Sequence, residues 1–323
     1  MRQGVRILIY FCILFILYQF IKSSDPKQSL KNDNLMKEET TVKKRDKLAD
    51  WINKVNILRV SGSEGNKLVR QIITQQLRKT GFEIELDLFT AKTPIGEIEF
   101  ANVIGKRFKN KKKFKDQKSI ILAAHYDSKY FKDGDFYGTT DSATSVGLLL
   151  NLADKIRDLK YPCDGKYHLY LVFFDGEEAF QEWNREDSVY GARHLSEKWK
   201  DQLGEFEYLI LFDLLGSKDA GDGHIRRTPY TYKPVFDKLL QIDNDDDSYN
   251  ILGGDTYKSF DDDHRPFMEK GVKIVHIIPH DFPKQWHTLQ DNLENVDIKI
   301  MHGYDKLLWE FIIKELELEN CVQ

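Results

Sequence analysis

The chain has 323 residues, 41% hydrophobic and 31% charged, which suits one large globular domain or two small ones. A formal net charge of −4 leaves no overall basic footprint of the kind nucleic-acid binding needs. Three cysteines, Cys12, Cys163 and Cys321, are too few for a disulfide scaffold and are not spaced as a zinc clip, so stability must come from an ordinary core.

Arg2 and Arg6 precede an apolar run, Ile7 to Ile21, that is broken only by Gln19 and closed by Lys22. A basic flank before a short apolar stretch reads as a secretory signal. The run falls short of the roughly 20 residues of a full membrane span. Two readings stand. One is a signal peptide cleaved near Ser23 or Ser24. The other is an uncleaved signal anchor through residues 7–21, which leaves the body lumenal by the positive-inside rule. Residues 1–24 are therefore signal peptide or signal anchor, and residues 25–46, polar and lysine-rich, are a linker or stalk. Residues 47–323 form a single domain. The expected location is the secretory pathway, either secreted or retained in the Golgi or ER lumen.

A helical pattern begins at Leu48, and a second covers about Glu64 to Thr80. Short apolar runs follow at Phe82–Phe89, Ser119–His125, Tyr167–Phe174, Tyr208–Phe212 and Val272–Ile278. Several are apolar throughout, as expected for strands covered on both faces. Between and after them, Val146, Leu149, Leu150, Ala153 and Ile156 keep helical spacing, as do Tyr304, Leu307, Leu308, Phe311 and Ile312. This alternation predicts an α/β fold, with a central, largely parallel mixed sheet flanked by helices on both faces. The basic stretch Lys106–Lys118 and the acidic run Asp243–Asp247 read as solvated surface loops.

In an open α/β sheet, sites form beyond the carboxyl ends of the strands. The polar residues of this chain gather at those points. One run ends in His125-Tyr126-Asp127-Ser128, another in Asp175-Gly176-Glu177-Glu178, a third in Asp213, and the last leads to Trp286-His287. Asp141 opens a helix. A lone Asp before a helix is usually only an N-cap, and a lone Glu-Glu pair is usually a solvated turn. Five strand-end or helix-start positions carrying His, Asp, Glu, Asp and His are harder to explain that way. The mixture of imidazole and carboxylate suits zinc. Of two adjacent glutamates, one can ligate metal while the other shuttles a proton. Asp127 is placed to orient the His125 ring.

These residues resemble the zinc aminopeptidase clan and, more narrowly, the glutaminyl cyclases. The likeness is carried by His125 to Phe131, Thr140 to Ala143, Phe173 to Phe180 and Trp183. It continues through Asp187 to Leu195, Asp262-Asp263-His264 and Phe282 to Thr288, and spans the chain from about Leu48 onward. The resemblance implies one zinc per chain, held by Asp141, Glu178 and His287. It implies Glu177 as acid/base, with Asp213 and Asp262 in a hydrogen-bonded carboxylate set beside it. It also implies Trp183, Phe282 and Trp286 as walls of the substrate pocket. Two-zinc aminopeptidases use the positions of His125 and Asp213 as well. The family's cysteine pair falls at Ala124 and Val146, so that bridge is absent here. Asp261 adds a negative charge beside Asp262, which is expected to perturb the carboxylate set.

The implied activity is that of a glutaminyl-peptide cyclotransferase. The N-terminal glutamine of a peptide or protein closes to pyroglutamate and ammonia leaves, with N-terminal glutamate reacting much more slowly. Zinc polarises the γ-amide, and Glu177 moves the proton from amine to leaving nitrogen. The competing readings are a two-zinc aminopeptidase and, from another class, a non-catalytic lumenal binding module.

Overall fold

The computed structural model describes residues 45–107, 117–159, 166–245 and 250–321. The proposed signal or anchor, nearly all of the stalk, Cys12, Cys163 and most of the basic stretch 106–118 lie outside these residues. The chain divides into Met1–Asp46 and a second compact unit, Lys47–Gln323. Only the second is described here, and no described helix is long and apolar enough to cross a membrane.

Helix α1 (Lys47–Val55) buries Leu48, Ile52 and Val55, one stripe at helical spacing. Helix α2 (Glu64–Lys79) starts where the Ser63 hydroxyl accepts the amide of Asn66, and it buries Val69, Ile73 and Leu77. Strands β1 (Glu83–Thr93) and β2 (Gly96–Arg107) form a long antiparallel hairpin. Then come β3 (Ser119–His125), α3 (Thr144–Arg157), β4 (His168–Phe174), α4 (Tyr190–Lys198) and β5 (Phe206–Phe212). After the short strand β6 (Ile225–Arg227) follow α5 (Lys233–Asn244), β7 (Leu252–Asp255), α6 (Arg265–Met268), β8 (Ile274–Ile277) and α7 (Ile298–Glu315).

The main sheet runs β1-β2-β4-β3-β5-β8. The first two pairings are antiparallel, and β4/β3, β3/β5 and β5/β8 are parallel. Strand side chains alternate between faces, so each apolar strand feeds two cores. Ile120, Leu122 and Ala124 of β3, with Leu169, Leu171 and Phe173 of β4, join the larger core under α1, α2, α3, α5 and α7. Ile121, Ala123, Tyr170, Val172 and Phe174 join the smaller core under α4 and α6. Each fully buried side chain of this size stabilises the fold by about 1.5–3 kcal/mol. That is why these strands are apolar at every position rather than at every second one.

Strand β3 leads through α3 to β4 on one side of it, and β4 leads through α4 to β5 on the other. The chain therefore changes direction around β3, and the carboxyl ends of β3, β4, β5 and β8 open on one edge. The expected acidic surface loop at 243–247 differs in part. Asp243 is buried and its carboxylate accepts the amide of Leu252, tying α5 to β7. Cys321 is disulfide-bonded, its partner lying outside the described residues. Ala124 and Val146 are both fully buried and fill with core the place where the family resemblance sets a disulfide.

Candidate active site

Four loops at that edge carry the chemistry. Strand β3 delivers His125 as its last residue, with Asp127 two positions on. The Asp127 carboxylate accepts the amides of Glu177 and Glu178, one on each oxygen at 3.2 Å, and lies 3.4 Å from His125 Nδ1. His125 Nδ1 makes no hydrogen bond, so the bonds of Asp127 go to the glutamate pair and not to the expected ring. Gly176, at φ 72, makes the turn after β4, and a Cβ there would stand 2.4 Å from the Phe100 ring. Only glycine takes that turn without displacing a packed aromatic.

Asp141 sits in the turn Thr139–Ala143, ahead of α3, with a non-helical backbone of φ −114 and ψ 73. No side chain caps α3, so Asp141 is not the N-cap that a lone aspartate would usually be. Its Oδ1 lies 3.1 Å from His125 Nε2 and its Oδ2 lies 3.4 Å from His287 Nε2. His287 Nε2 is in turn 3.5 Å from Glu178 Oε2. Donors about 2.0–2.2 Å from a tetrahedral zinc lie roughly 3.3–3.6 Å apart, so two carboxylates and an imidazole at these separations suit that ion. Glu178 Oε1 is buried without a hydrogen-bond partner, as a ligand atom kept for a cation would be. His287 holds a left-handed backbone, φ 51, which costs a non-glycine residue about 1–2 kcal/mol.

Electrostatics separate the roles. Burial opposes ionisation of Asp141, yet bonds to His125 and His287 hold it well below the usual carboxylate range. Burial also pulls His287 down, but Asp141 and Glu178 push it up to about 9. A metal held at this ring would displace its proton. Burial drives Glu177 well above the ordinary range; His125 opposes this, and Glu178, Asp262 and Asp263 add to it. Asp213 rises to about 8, chiefly by burial. Asp262 is held low despite burial by its 2.8 Å bond to His276.

No hydrogen bond among the described residues joins Glu177 to Asp213 or Asp262. Asp213 bonds His125 at 3.2 Å and Asp262 bonds His276, so the expected bonded carboxylate set is instead coupled through space. Asp261 pairs with Arg265 and accepts Trp183 Nε1 at 3.0 Å, so its charge has a neighbouring cation.

All nine expected site residues line one cavity of about 520 Å³. Asp141, Glu177, Glu178, Asp213, Asp262 and His287 form its polar part. Trp183, Phe282 and Trp286 wall it, with Phe282 edge-on to Trp286 at 4.8 Å and Trp286 stacked on His287 at 4.0 Å. Sequence reasoning gave no role to several supporting groups. Lys129 Nζ bonds Glu178 Oε2 at 3.1 Å. Asp291 accepts the amides of Thr140 and Asp141 at 2.8 and 3.2 Å. Arg59, fully buried, donates to the carbonyls of Tyr126, Tyr137, Gly138 and Asp141. Asp187 accepts the amides of Phe180, Gln181 and Glu182 and so fixes the loop that carries Trp183. Asp187 lay inside a recognised motif. The partners of Arg59 and Asp291 are some 70 to 150 residues away, and no local signal marks them.

A profile of Peptidase family M28 matches residues 102–312. The chain is 37% identical over 270 residues to a glutaminyl-peptide cyclotransferase of Drosophila melanogaster, covering 77% of this chain and 75% of that one. It is 30% identical over 359 residues to one of Dictyostelium discoideum, covering 95% and 98%. The crystal structure of Macrostomum lignano glutaminyl cyclase superposes with a TM-score of 0.75 at 28% identity, over 83% of this chain and 88% of that one. A fold, a strand-end cavity and relatives that agree along most of the sequence lead to one assignment: the chain belongs to the glutaminyl-peptide cyclotransferases of Peptidase family M28.

Proposed function

We propose that this chain converts the N-terminal glutamine of peptides and proteins to pyroglutamate with release of ammonia, using one zinc held by Asp141, Glu178 and His287. The observation that carries the reading is the single cavity in which this donor trio, the buried Glu177 carboxyl and an aromatic wall meet. Zinc, when bound, supplies Lewis-acid polarisation of the γ-amide. The rest falls to side chains. Trp183, Phe282 and Trp286 hold the glutamine side chain bent back on its own amine and keep water out, an orientation effect. Glu177 accepts the proton of the attacking α-amine and returns it to the departing amide nitrogen, a task its raised proton affinity suits. Asp127 holds both glutamate amides and so keeps Glu177 aimed while Glu178 faces the metal trio. No protein nucleophile is needed.

One observation favours a second reading. His125, Asp141 and Asp213 also bring donor atoms within 4.8 Å of one another, a group that could hold a second metal and serve a two-zinc aminopeptidase. A Gln-initiated peptide separates the two. Loss of one ammonia from an otherwise intact peptide supports the cyclase; release of free glutamine, with two zincs per active chain, supports the peptidase. The same proposal locates the domain in the secretory lumen, secreted or held by residues 7–21. The disulfide at Cys321 supports an oxidising compartment. Recovery of the intact chain in the cytosolic fraction would contradict it.

A further inference from the structure

The cavity is lined by seven carboxyl-bearing residues against one lysine and one histidine. Most of these charges are internally met. Lys129 pairs with Glu178, Asp261 pairs with Arg265, and the deeper groups surround His125 and the donor trio. Glu182 differs. It is exposed at the mouth beside Trp183, and its carboxylate makes no hydrogen bond or ion pair among the described residues.

Its backbone is nonetheless held. The amide of Glu182 bonds Asp187 at 3.1 Å and its carbonyl accepts Asn184 Nδ2 at 2.8 Å. The Trp183 ring beside it is tied to Asp261. Only the side-chain torsions of Glu182 remain to be ordered when its carboxylate meets a partner, which limits the ordering cost. Trp286, at 38% exposure, lines the same cavity and adds exposed aromatic surface that can receive a cation. A glutamine bent into the inner end must lead its chain out past this mouth.

We infer that the enzyme selects peptides in which a basic residue follows the N-terminal glutamine, and that Glu182 is the residue that sets this preference. The inference rests on the cyclase reading. It concerns which glutamine peptides are taken, not how they close. Lysine or arginine at that position meets the Glu182 carboxylate and the tryptophan faces; aspartate or glutamate meets repulsion from the mouth and the cavity behind it.

The test uses the full chain with three amidated peptides that differ only in the residue after glutamine: lysine, alanine or glutamate. At low salt kcat/KM should fall in that order, with lysine over glutamate by about tenfold, equivalent to about 1.4 kcal/mol. Half-molar salt should shrink the ratio, because this contact is exposed. Glu182→Gln should leave the alanine peptide within about twofold while cutting the lysine-to-glutamate ratio to about threefold, as loss of one exposed ion pair predicts. Glu182→Lys, a second step of the same size, should bring the ratio of that variant down to about one. A ratio near one, or a ratio unmoved by Glu182→Gln and by salt while the alanine peptide still cyclises, overturns the preference alone. A chain that leaves the alanine peptide uncyclised overturns the cyclase reading, and the preference with it.

Discussion

Arg59 offers the most demanding test of how the site is built. Its guanidinium is fully buried among backbone carbonyls, 2.9 Å from Tyr126 O and 2.7 Å from Gly138 O, with a third short contact to Tyr137 O. Longer contacts reach Ile57 O and Asp141 O at 3.3 and 3.4 Å. Burial lowers its pKa to about 10, so it remains charged at neutral pH, with Asp127, Asp141, Asp291 and Glu178 around it. Arg59→Met removes three short bonds; Gly138 O keeps the Ala143 amide at 3.2 Å, while Tyr126 O and Tyr137 O lose their guanidinium donor. At the lower figure of about 1.5 kcal/mol for each charge-assisted bond, the loss is about 4–5 kcal/mol, a large share of the 5–15 kcal/mol typical of a domain. Arg59→Lys keeps the charge but lacks the planar fork, and should lose about half as much. The assay is urea unfolding of each variant together with zinc content after timed dialysis against a chelator. Arg59→Lys should lose zinc faster than wild type, because the segment from Tyr137 to Asp141 is no longer clamped. An Arg59→Met protein within about 1 kcal/mol of wild type, with unchanged zinc retention, would refute the reasoning.

The catalytic assignments divide cleanly. Glu177→Gln should keep zinc and lose turnover by a factor on the order of 10²–10⁴, since the amide cannot accept the proton. His287→Ala should lose metal and activity together, and metal analysis of both proteins would expose a reversed assignment. With a Gln-peptide, kcat/KM should rise through about pH 7.7–8.0 as the substrate amine becomes neutral. A matched Glu-peptide should react far more slowly with an acid-shifted optimum, and paired pH–rate profiles with equal rates near pH 8 would contradict attack by a free amine. Far from the site, Asp87 is held below its ordinary pKa despite burial by His194, Asn102 and Lys198. A depressed carboxylate adds stability above its unfolded pKa of about 3.9, and that stability disappears as pH falls through the lower folded value. Asp87→Asn should therefore lower the urea midpoint at pH 7 and converge with wild type in strong acid. A constant gap at all pH values would argue against an electrostatic origin.

The parallel strands were legible because burial on both faces leaves little but Ile, Leu, Val and Phe. Strand β2 was not read. Its first half is an exposed hairpin arm carrying Glu97 and Glu99, and only from Phe100 onward does it enter the core. The periodicity changes within the strand, and no single template fits it. β1 runs to Thr93, past the expected Phe89, for the same reason: the hairpin continues beyond the layer that buries it. β6 and β7 are short and rich in Arg and Gly, with almost no apolar signal. The polar cluster as a whole was legible because imidazole and carboxylate are unusual at strand ends, whereas singling out Asp141, Glu178 and His287 rested on the resemblance to the cyclases. His276 was not, because inside the apolar run of β8 it reads as core, and only the fold reveals its bonds to Asp262 and Tyr230. Asp263 and His264 stay opaque even in the structure, which buries both without polar partners.

Asp127 has a consequence for how such enzymes vary and how they can be built. Glu177 and Glu178 are chemically identical neighbours. What distinguishes them is their place in the turn: with both amides held by Asp127, it is Glu178 that lies beside His287. The carboxylate thus acts as a counting device for the chain at this turn. Inserting one residue between Phe174 and Glu177 would carry Glu177 into the place that Glu178 holds beside His287, although every candidate side chain would still be present. Substitutions around the turn are a matter of packing, whereas a change in its length is a change of wiring. Anyone grafting this chemistry onto another α/β sheet should move 125–127 and 174–178 together, as one part.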